Sequence, residues 1–245
     1  MIIQYYADSL GLSRPGIVKL NERYIHLFEL WLRQTISENV SIINRARKGL
    51  TIDKMYEIFE EDESYLLDEA ERDILIIHDG ICDCAPRPVS KKLRAFISKL
   101  PGFFRIRLVS YLHNNRAKLL KKGHVHFLVE KNQYEEYLHK WLKQAIGKFK
   151  RIYIFNIAPT NTEIESHSPG FGNSIVAYNS IIERVVNDIN NPIIKLIDIY
   201  SIIKKEISID DVIVKEDGHH ITAVGHKLYA KQLIELEAKR LSGTC

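Results

Sequence analysis

Short apolar runs alternate along the chain with longer segments in which apolar residues recur at every third or fourth position. Continuous runs rich in Ile, Val, Tyr and Phe are typical of strands buried on both faces of a parallel sheet. The longer segments have the periodicity of amphipathic helices. The predicted strands are Ile2–Ala7, Val40–Asn44, Ile74–His78, Ile152–Ile157 and Ile193–Ile199. The predicted helices include Glu22–Ile36, Tyr134–Phe149, Ser174–Ile189 and Thr222–Leu241.

The order of these elements predicts a doubly wound α/β domain, in which helices cover both faces of a parallel sheet. Ligands of such sheets bind beyond the carboxyl ends of the strands. No internal repeat, Gly/Ser-rich linker or low-complexity tract interrupts the pattern, and a chain of 245 residues can bury a full core. Residues 1–245 are therefore predicted to form a single domain.

One segment, at about residues 84–129 between the third and fourth predicted strands, departs from this alternation. It contains eleven Lys or Arg residues and no Asp or Glu. The segment is longer than a minimal crossover, which predicts an insertion over the sheet edge with two helices joined at Pro101–Gly102. Its charge fits either an ordinary solvated surface or contact with an anionic partner, such as an acidic glycan or the inner membrane surface.

The composition is that of a soluble globular protein, with 45% hydrophobic and 27% charged residues. No apolar run approaches the roughly 18 residues of a membrane helix, and the first residues lack the pattern of a secretory signal. Cys82, Cys84 and Cys245 do not make a disulfide framework. We expect a cytoplasmic protein, with peripheral attachment to the inner membrane as an option. The net charge of +4 is small, and no nucleic-acid partner is expected.

The candidate chemistry begins with Ser9, which follows the first predicted strand in the stretch ADSLG. The nucleophile elbow G-x-S-x-G follows several strands, so it does not explain a serine at this position. Asp217 and His220, three residues apart, stand just before the last helix. A short loop can hold a carboxylate against one imidazole nitrogen while the other faces a serine. The alternatives are that Ser9 caps a helix and that Asp217 begins one. His219 is interpreted as a neighbour of the base.

Four short motifs, each following the expected element, resemble the blocks of the SGNH (GDSL-type) hydrolase family. Ala7–Leu10 is similar to Gly-Asp-Ser-Leu, with alanine in place of glycine. NRARKGLT, residues 44–51, is similar to the second block and places its key glycine at Gly49. GICD, residues 80–83, resembles the third block, and the Asp-x-x-His of residues 217–220 resembles the fifth. The stretch GICDCAPRP also resembles a branch associated with bacterial surface-polysaccharide biosynthesis.

The resemblance implies a flavodoxin-like, doubly wound parallel sheet of five strands with a basic helical insertion after strand three. It implies a triad of Ser9, Asp217 and His220, and an oxyanion hole that includes the N–H groups of Ser9 and Gly49. No cofactor is implied. The family has an asparagine donor where this chain has Cys82, and a thiol is a weak donor.

These features predict a serine esterase, similar to O-acetylesterases, that acts on an acylated carbohydrate. One alternative is an O-acyltransferase on a bacterial glycan. The other is a non-catalytic module that binds a glycan or nucleotide sugar, which Cys82 favours and the complete triad opposes. Arg87, just after the third block, is a candidate to bind a substrate anion. No metal site is predicted, because the pairs Cys82/Cys84 and His124/His126 are spaced more tightly than structural zinc ligands usually are.

Overall fold

The protein is described by a computed structural model that covers residues 1–36, 39–65 and 72–243. Five parallel strands form one sheet in the order β2-β1-β3-β4-β5. This is the order of flavodoxin-like sheets, and it confirms the doubly wound α/β fold that the sequence predicts. The strands are β1 (Ile2–Ala7), β2 (Ser41–Asn44), β3 (Arg72–His78), β4 (Phe149–Phe155) and β5 (Ile194–Ile197).

The strands are connected by helices, and none of those described has both the length and the apolar content that crossing a membrane requires. The longer helices are α1 (Tyr24–Thr35), α2 (Ile52–Tyr65), α5 (Gly102–Asn114), α7 (Lys131–Ala145), α9 (Phe171–Ile189) and α12 (Ala223–Leu241). The shorter ones are α3 (Ile81–Cys84), α4 (Lys91–Ser98), α6 (Arg116–Lys121), α8 (Thr162–His167), α10 (Ile199–Glu206) and α11 (Ile209–Val212).

The core has two layers, one on each face of the sheet. Successive side chains of a strand point to opposite faces. In β3, Ile74 and Ile76 therefore pack with α1 and α12, whereas Leu75 and Ile77 pack with α2, α7 and α9. Because helices cover both faces, the carboxyl ends of the strands are left as the place for a site.

Some element boundaries differ from the sequence-based prediction. The helix predicted to reach Phe149 ends at Ala145, since Gly147 takes a left-handed φ of 86° and turns the chain into β4. At the other end of the sheet, β5 stops at Ile197 because Asp198 caps the next helix, its side chain accepting the N–H of Ser201. Local capping and turn geometry therefore set these ends, which hydrophobic periodicity alone does not specify.

The basic segment contains three helices, α4, α5 and α6, where the sequence predicted two. Its first two helices are joined at Pro101–Gly102 as predicted. The extra break lies at Asn115, whose amide donates to the carbonyl of Tyr111 and ends α5. Arg87 and His126 pair through their backbones and tie the two ends of the segment together. Cys84 within this region is buried and unpaired, whereas Cys245 lies outside the described residues.

Candidate active site

Ser9 lies in a single 3₁₀ turn directly after β1, at the carboxyl edge of the sheet. A carboxyl oxygen of Asp8 accepts the N–H of Leu10 at 2.8 Å, so Asp8, and not Ser9, caps this turn. Gly11 closes the turn at a point where a Cβ would overlap the hydroxyl of Tyr5 and the methyl of Ala7. The stretch ADSLG therefore folds into a tight turn that presents the hydroxyl of Ser9.

The second half of the site is the loop before α12. Gly218 has a left-handed φ of 72°, and a Cβ there would overlap the side-chain oxygen of Asn161. Asn161, which follows β4, also donates its amide to the carbonyl of Lys215 at 3.1 Å. Thr222 caps α12, its hydroxyl accepting the N–H of Gly225. Asp217 is thus free of the capping role that the sequence left open for it.

The three residues predicted from the sequence to form a triad meet at this edge. The Nε2 atom of His220 lies 3.1 Å from the Oγ atom of Ser9, and its Nδ1 atom lies 3.1 Å from Oδ2 of Asp217. Oδ1 of Asp217 accepts the N–H groups of His220 and His219, at 3.0 and 3.2 Å. The Nδ1 atom of His219 lies 2.8 Å from the carbonyl oxygen of Asp217, and its ring packs beside that of His220. Carboxylate, imidazole and hydroxyl therefore form one continuous chain of contacts.

The electrostatics of the loop keep this imidazole neutral. Burial lowers the pKa of His220 to about 4, and the charges of His219 and Arg14 act in the same direction, while Asp217 partly opposes them. Burial also acts to raise the pKa of Asp217, but the N–H groups of His220 and His219 outweigh it and leave that pKa below its usual value. At neutral pH the pair is an ionised carboxylate beside a neutral imidazole that can accept a proton.

Arg14 is a member of the site that the sequence analysis missed. The turn around Pro15–Gly16 pairs the backbones of Arg14 and Val18 at 2.8 Å in both directions. This turn brings Nη1 of Arg14 to 2.5 Å from Oδ2 of Asp217, in an ion pair that lacks hydrogen-bond alignment. The Pro-Gly turn is visible in the sequence. Its contact with Asp217 is not, because about 200 residues separate the two side chains.

The segments that carry Gly49 and Cys82 follow β2 and β3, the two strands that flank β1. The loop after β2 follows the end of β1, as the N–H groups of Arg45 and Arg47 donate to the carbonyls of Tyr5 and Ala7. Gly49 lies farther along this loop, exposed and with a left-handed φ of 73°. Cys82 stands at the third-block position on the other side, where burial raises the pKa of its thiol and keeps it protonated.

Two pockets meet at Ser9. The first is lined by Ser9 itself and by Leu10, Leu12, Ser13, Arg14, Pro15, Lys48, His220 and Ile221. The second is formed largely by the basic segment and by the region around α8, and it is lined by Ser9, Ile81, Cys82, Ala85, Arg87, His113, Arg116, Ile164, His167, Ser168, Phe171 and His219. Ser9 therefore borders both pockets, and Arg87 lines the second.

One group of potential metal ligands exists among the residues that the structure describes. Asp217, His219 and His220 have ligand atoms within 4.8 Å of one another. Both ring nitrogens of His220 already face Ser9 and Asp217, so the triad accounts for this cluster. Across the same residues, the cysteine and histidine pairs considered above do not come together as a ligand set.

Solved structures of a lipase/acylhydrolase, a lipolytic protein and an esterase resemble nearly the whole chain. A lipase/acylhydrolase from Enterococcus faecalis matches at a TM-score of 0.64 and 12% identity, over 98% of this chain and 96% of the other. A member of the lipolytic G-D-S-L family from Veillonella parvula matches at 0.59 and 15%, over 96% of each chain. An acetylxylan esterase from Geobacillus stearothermophilus matches at 0.59 and 16%, over 96% and 92%. The chain has the SGNH hydrolase fold.

No family model and no curated protein sequence matches this chain. At identities of 12% to 16%, the likeness to the solved structures concerns the fold. Within the SGNH fold, the roles of the individual side chains have to be argued from their own geometry.

Proposed function

We propose that the protein is a serine esterase with Ser9 as nucleophile, His220 as general base and Asp217 as the residue that orients the base. The observation that carries this proposal is the continuous contact from Asp217 through His220 to Ser9, at 3.1 Å for each step. Further support comes from the fold, which is shared with a lipase/acylhydrolase and an acetylxylan esterase.

In the proposed reaction, Nε2 of His220 takes the proton of the Ser9 hydroxyl as its oxygen attacks the ester carbonyl. The N–H groups of Ser9 and Gly49 stabilise the resulting oxyanion. When this intermediate collapses, the alcohol leaves with the proton from His220, and the acyl group stays on Ser9. A water molecule, deprotonated by His220, then attacks the acyl carbonyl. The acid leaves as the bond to Ser9 breaks, and His220 returns the proton to the oxygen of Ser9. Asp217 holds the imidazole in the required tautomer throughout.

We propose an acylated carbohydrate as the substrate, on the support of the fold that the chain shares with an acetylxylan esterase. An acyltransferase would use the same acyl-enzyme and differ only in that a sugar hydroxyl replaces water. The two pockets that meet at Ser9 give space for such an acceptor. The link to bacterial surface-polysaccharide biosynthesis and the cytoplasmic location remain predictions from the sequence.

The competing proposal is a binding module that retains the SGNH fold without turnover, and it rests on the weak donor at Cys82. Labelling with a fluorophosphonate probe separates the two, because it requires an activated hydroxyl. We expect Ser9 to be labelled in the wild type and labelling to be lost in Ser9→Ala. Ser13→Ala is the matched control, since Ser13 lines the same pocket. An unlabelled, folded wild type that also fails to hydrolyse p-nitrophenyl acetate and acetylated monosaccharides would refute the esterase proposal.

A further inference from the structure

The second pocket beside Ser9 contains two arginines that come from opposite parts of the basic segment. Arg87 follows α3, and Arg116 begins α6. Both guanidinium groups are partly buried. Burial and the charges of Arg94 and Arg116 lower the pKa of Arg87 to about 10, and burial also lowers the pKa of Arg116. Two cations thus share one partly desolvated site and repel each other.

Neither arginine has an anionic partner within the described part of the chain. Arg116 donates Nε to the hydroxyl of Ser168 at 2.6 Å and Nη2 to the carbonyl of Pro86 at 2.5 Å, both of them neutral acceptors. The Nε atom of Arg87 is buried and has no hydrogen-bond partner. An unpaired charge and an unsatisfied donor in a partly buried site both cost free energy.

Asp83, the carboxyl group that interacts electrostatically with Arg87, forms no ion pair with either arginine. It is fully buried and has no ion pair in the described structure. Burial and the neighbouring Asp79 raise the pKa of Asp83 well above its usual value, so it is held largely protonated. The segment from residue 84 to residue 129 contributes no acidic side chain. Among the described residues, no ion pair neutralises these two charges, so a bound anion would supply what the pocket lacks.

We propose that this pocket, around Arg87 and Arg116, binds an anionic group of the substrate while the ester carbonyl lies at Ser9. The substrate would then be an acylated sugar that also carries a carboxylate or a phosphate. Arginine suits this role because its planar fork of N–H donors matches both groups in a bidentate way. Ser168 and Pro86 hold Arg116 in place, which reduces the entropy lost on binding. This inference rests on the esterase proposal and specifies its substrate class.

The test compares kcat/KM for three acetyl esters: an O-acetylated neutral sugar, the corresponding uronic acid and the corresponding sugar phosphate. The wild type should prefer one or both anionic esters, and the preferred one identifies the anion. In Arg87→Met and Arg116→Met this preference should fall by about 10- to 100-fold, chiefly through KM, because each change removes a charged hydrogen-bond donor. Arg87→Lys should retain part of it. Lys118→Met is the matched control, an exposed cation on the same helix as Arg116.

A second measurement, made on the wild type, does not depend on whether the variants fold. Glucuronate and glucose 6-phosphate, with glucose as the neutral control, are assayed as competitive inhibitors of p-nitrophenyl acetate hydrolysis by the wild type. Inhibition by an anionic sugar that weakens in Arg87→Met supports the proposal. Equal inhibition by glucose, or equal kcat/KM for neutral and anionic esters, would overturn the anion site and leave the esterase intact. If the folded wild type hydrolyses none of these esters, the result would instead count against the proposal that the protein is an esterase.

A separate observation concerns the helical hairpin of α4 and α5, residues 91–114. No side chain of α5 is buried. Phe103 and Ile106 are 66% and 68% exposed, and other large apolar side chains of the hairpin are exposed as well. These are Leu93, Phe96, Phe104, Val109 and Tyr111. Exposed apolar patches of this kind mark interaction sites.

The charge of the hairpin decides between its possible partners. It carries Lys91, Lys92, Arg94, Lys99, Arg105 and Arg107, and no acidic residue. In a symmetric pairing with a second copy, each cation of the hairpin would approach the same cations of the partner. An anionic membrane surface instead accepts the apolar side chains and attracts the cations. We infer that the hairpin attaches the protein peripherally to an anionic membrane.

Sedimentation of the full chain with lipid vesicles tests this inference. Vesicles of phosphatidylglycerol and phosphatidylcholine should bind the protein, and added salt should weaken binding by screening the cations. Phe103→Ser with Phe104→Ser, and separately Arg105→Glu with Arg107→Glu, should each reduce binding by about tenfold or more. Val176→Ser, at an exposed valine of α9, is the control. Equal binding to pure phosphatidylcholine, no binding at all, or a concentration-dependent dimer that the Phe changes abolish would overturn it.

Discussion

At the residue scale, the site depends on one imidazole with both nitrogens engaged. His220 faces the hydroxyl of Ser9 on one side and the carboxylate of Asp217 on the other. His219, the preceding residue, has its Nδ1 atom 2.8 Å from the backbone oxygen of Asp217, and its ring packs against that of His220 with centroids 4.2 Å apart. Two adjacent histidines therefore occupy different environments, and only one of them can exchange a proton with Ser9.

The first prediction follows from this difference. His220→Ala should lose esterase activity to about the same extent as Ser9→Ala, while His219→Ala should lose much less. The double variant Ser9→Ala/His220→Ala should be scarcely worse than either single change, because residues that act as one unit are not additive. The esterase activity of all four variants is measured as their turnover of p-nitrophenyl acetate. Equal losses at the two histidines would show that the base is assigned to the wrong ring.

The second prediction concerns the pH at which kcat/KM falls on the acidic side of its pH profile, here called the acidic limb. A neutral imidazole accepts the proton, and the pKa of His220 is lowered to about 4, so kcat/KM should hold down to that pH and fall below it. Arg14 contributes to this low pKa through its positive charge. Arg14→Leu should therefore move the limb to higher pH, and Arg14→Lys should leave it closer to the wild type. A limb near 6.5 in the wild type would contradict the effect of burial.

The third prediction concerns the weak donor opposite Ser9. Cys82 lines the second pocket together with Ser9, and its thiol is protonated. If a missing side-chain donor limits the reaction, Cys82→Asn should raise kcat on the order of tenfold or more, since an oxyanion donor can contribute about 10² to 10³ in rate. Cys82→Ser is the control of similar size. An unchanged or lower kcat would mean that another group already fills the role.

At the element scale, turns place the chemistry and strands only support it. Ser9 is held by a turn that needs Gly11, and His220 by a loop that needs Gly218. Gly11 packs against the side chains of β1, and Gly218 packs against the side chain of Asn161. The site therefore depends on two positions that carry no side chain.

The fourth prediction tests this dependence. Gly218→Ala should cost about 1–2 kcal/mol for the left-handed conformation, plus the displacement of Asn161, and activity should fall with it. Gly102→Ala is the control, because it has open space around it and begins a helix. Urea unfolding and ester hydrolysis measure both variants. A Gly218→Ala protein as stable and active as the control would show that the loop is less constrained than its contacts indicate.

The elements of this fold differ in how far the sequence determines them. The apolar strands and the Asp-x-x-His spacing are local signals, so the sheet and the meeting of Asp217 with His220 could be predicted. The third helix of the basic segment depends on how Asn115 bonds to Tyr111, which periodicity does not show. The contact of Arg14 with Asp217 could not be predicted for a different reason. It joins distant parts of the chain, and only the folded structure brings them together.

At the scale of the whole molecule, the fold encloses acidic groups without neutralising them. Asp8, Asp79 and Asp83 are almost completely buried near the carboxyl ends of β1 and β3, and each has one carboxyl oxygen without a partner. Burial raises the pKa of all three. Their protonation in the folded state therefore makes stability depend on pH.

The fifth prediction gives the sign of that dependence. Between the unfolded pKa of about 4 and the raised folded pKa, such a carboxyl group is protonated in the folded state and ionised in the unfolded state. It therefore destabilises the fold increasingly as pH rises through this range. Asp79→Asn removes this effect and keeps an acceptor for the hydroxyl of Tyr134. Its gain in unfolding free energy over the wild type should grow between pH 5 and pH 8, on the order of 1 kcal/mol or more.

The control for this experiment is Asp53→Asn. The pKa of Asp53 is lowered: burial acts to raise it, but hydrogen bonds from Thr51 and Lys91 outweigh that effect. Asp53 is therefore ionised in both states over the same pH range, and the effect of its substitution should stay constant from pH 5 to pH 8. The unfolding free energies of both variants and the wild type are measured by urea unfolding at each pH. A flat difference for Asp79→Asn would show that its carboxyl is ionised in the fold.

The separation of Ser9 from His220 has a consequence for how the protein is made. The two residues lie 211 positions apart, so a ribosome synthesises the nucleophile long before its base. A nascent chain that still lacks the loop of Asp217 and His220 carries an ordinary serine hydroxyl, with no imidazole to activate it. Reactivity should therefore appear only after the loop that carries His220 has left the ribosome and folded against Ser9, and a fluorophosphonate probe would report that event during synthesis.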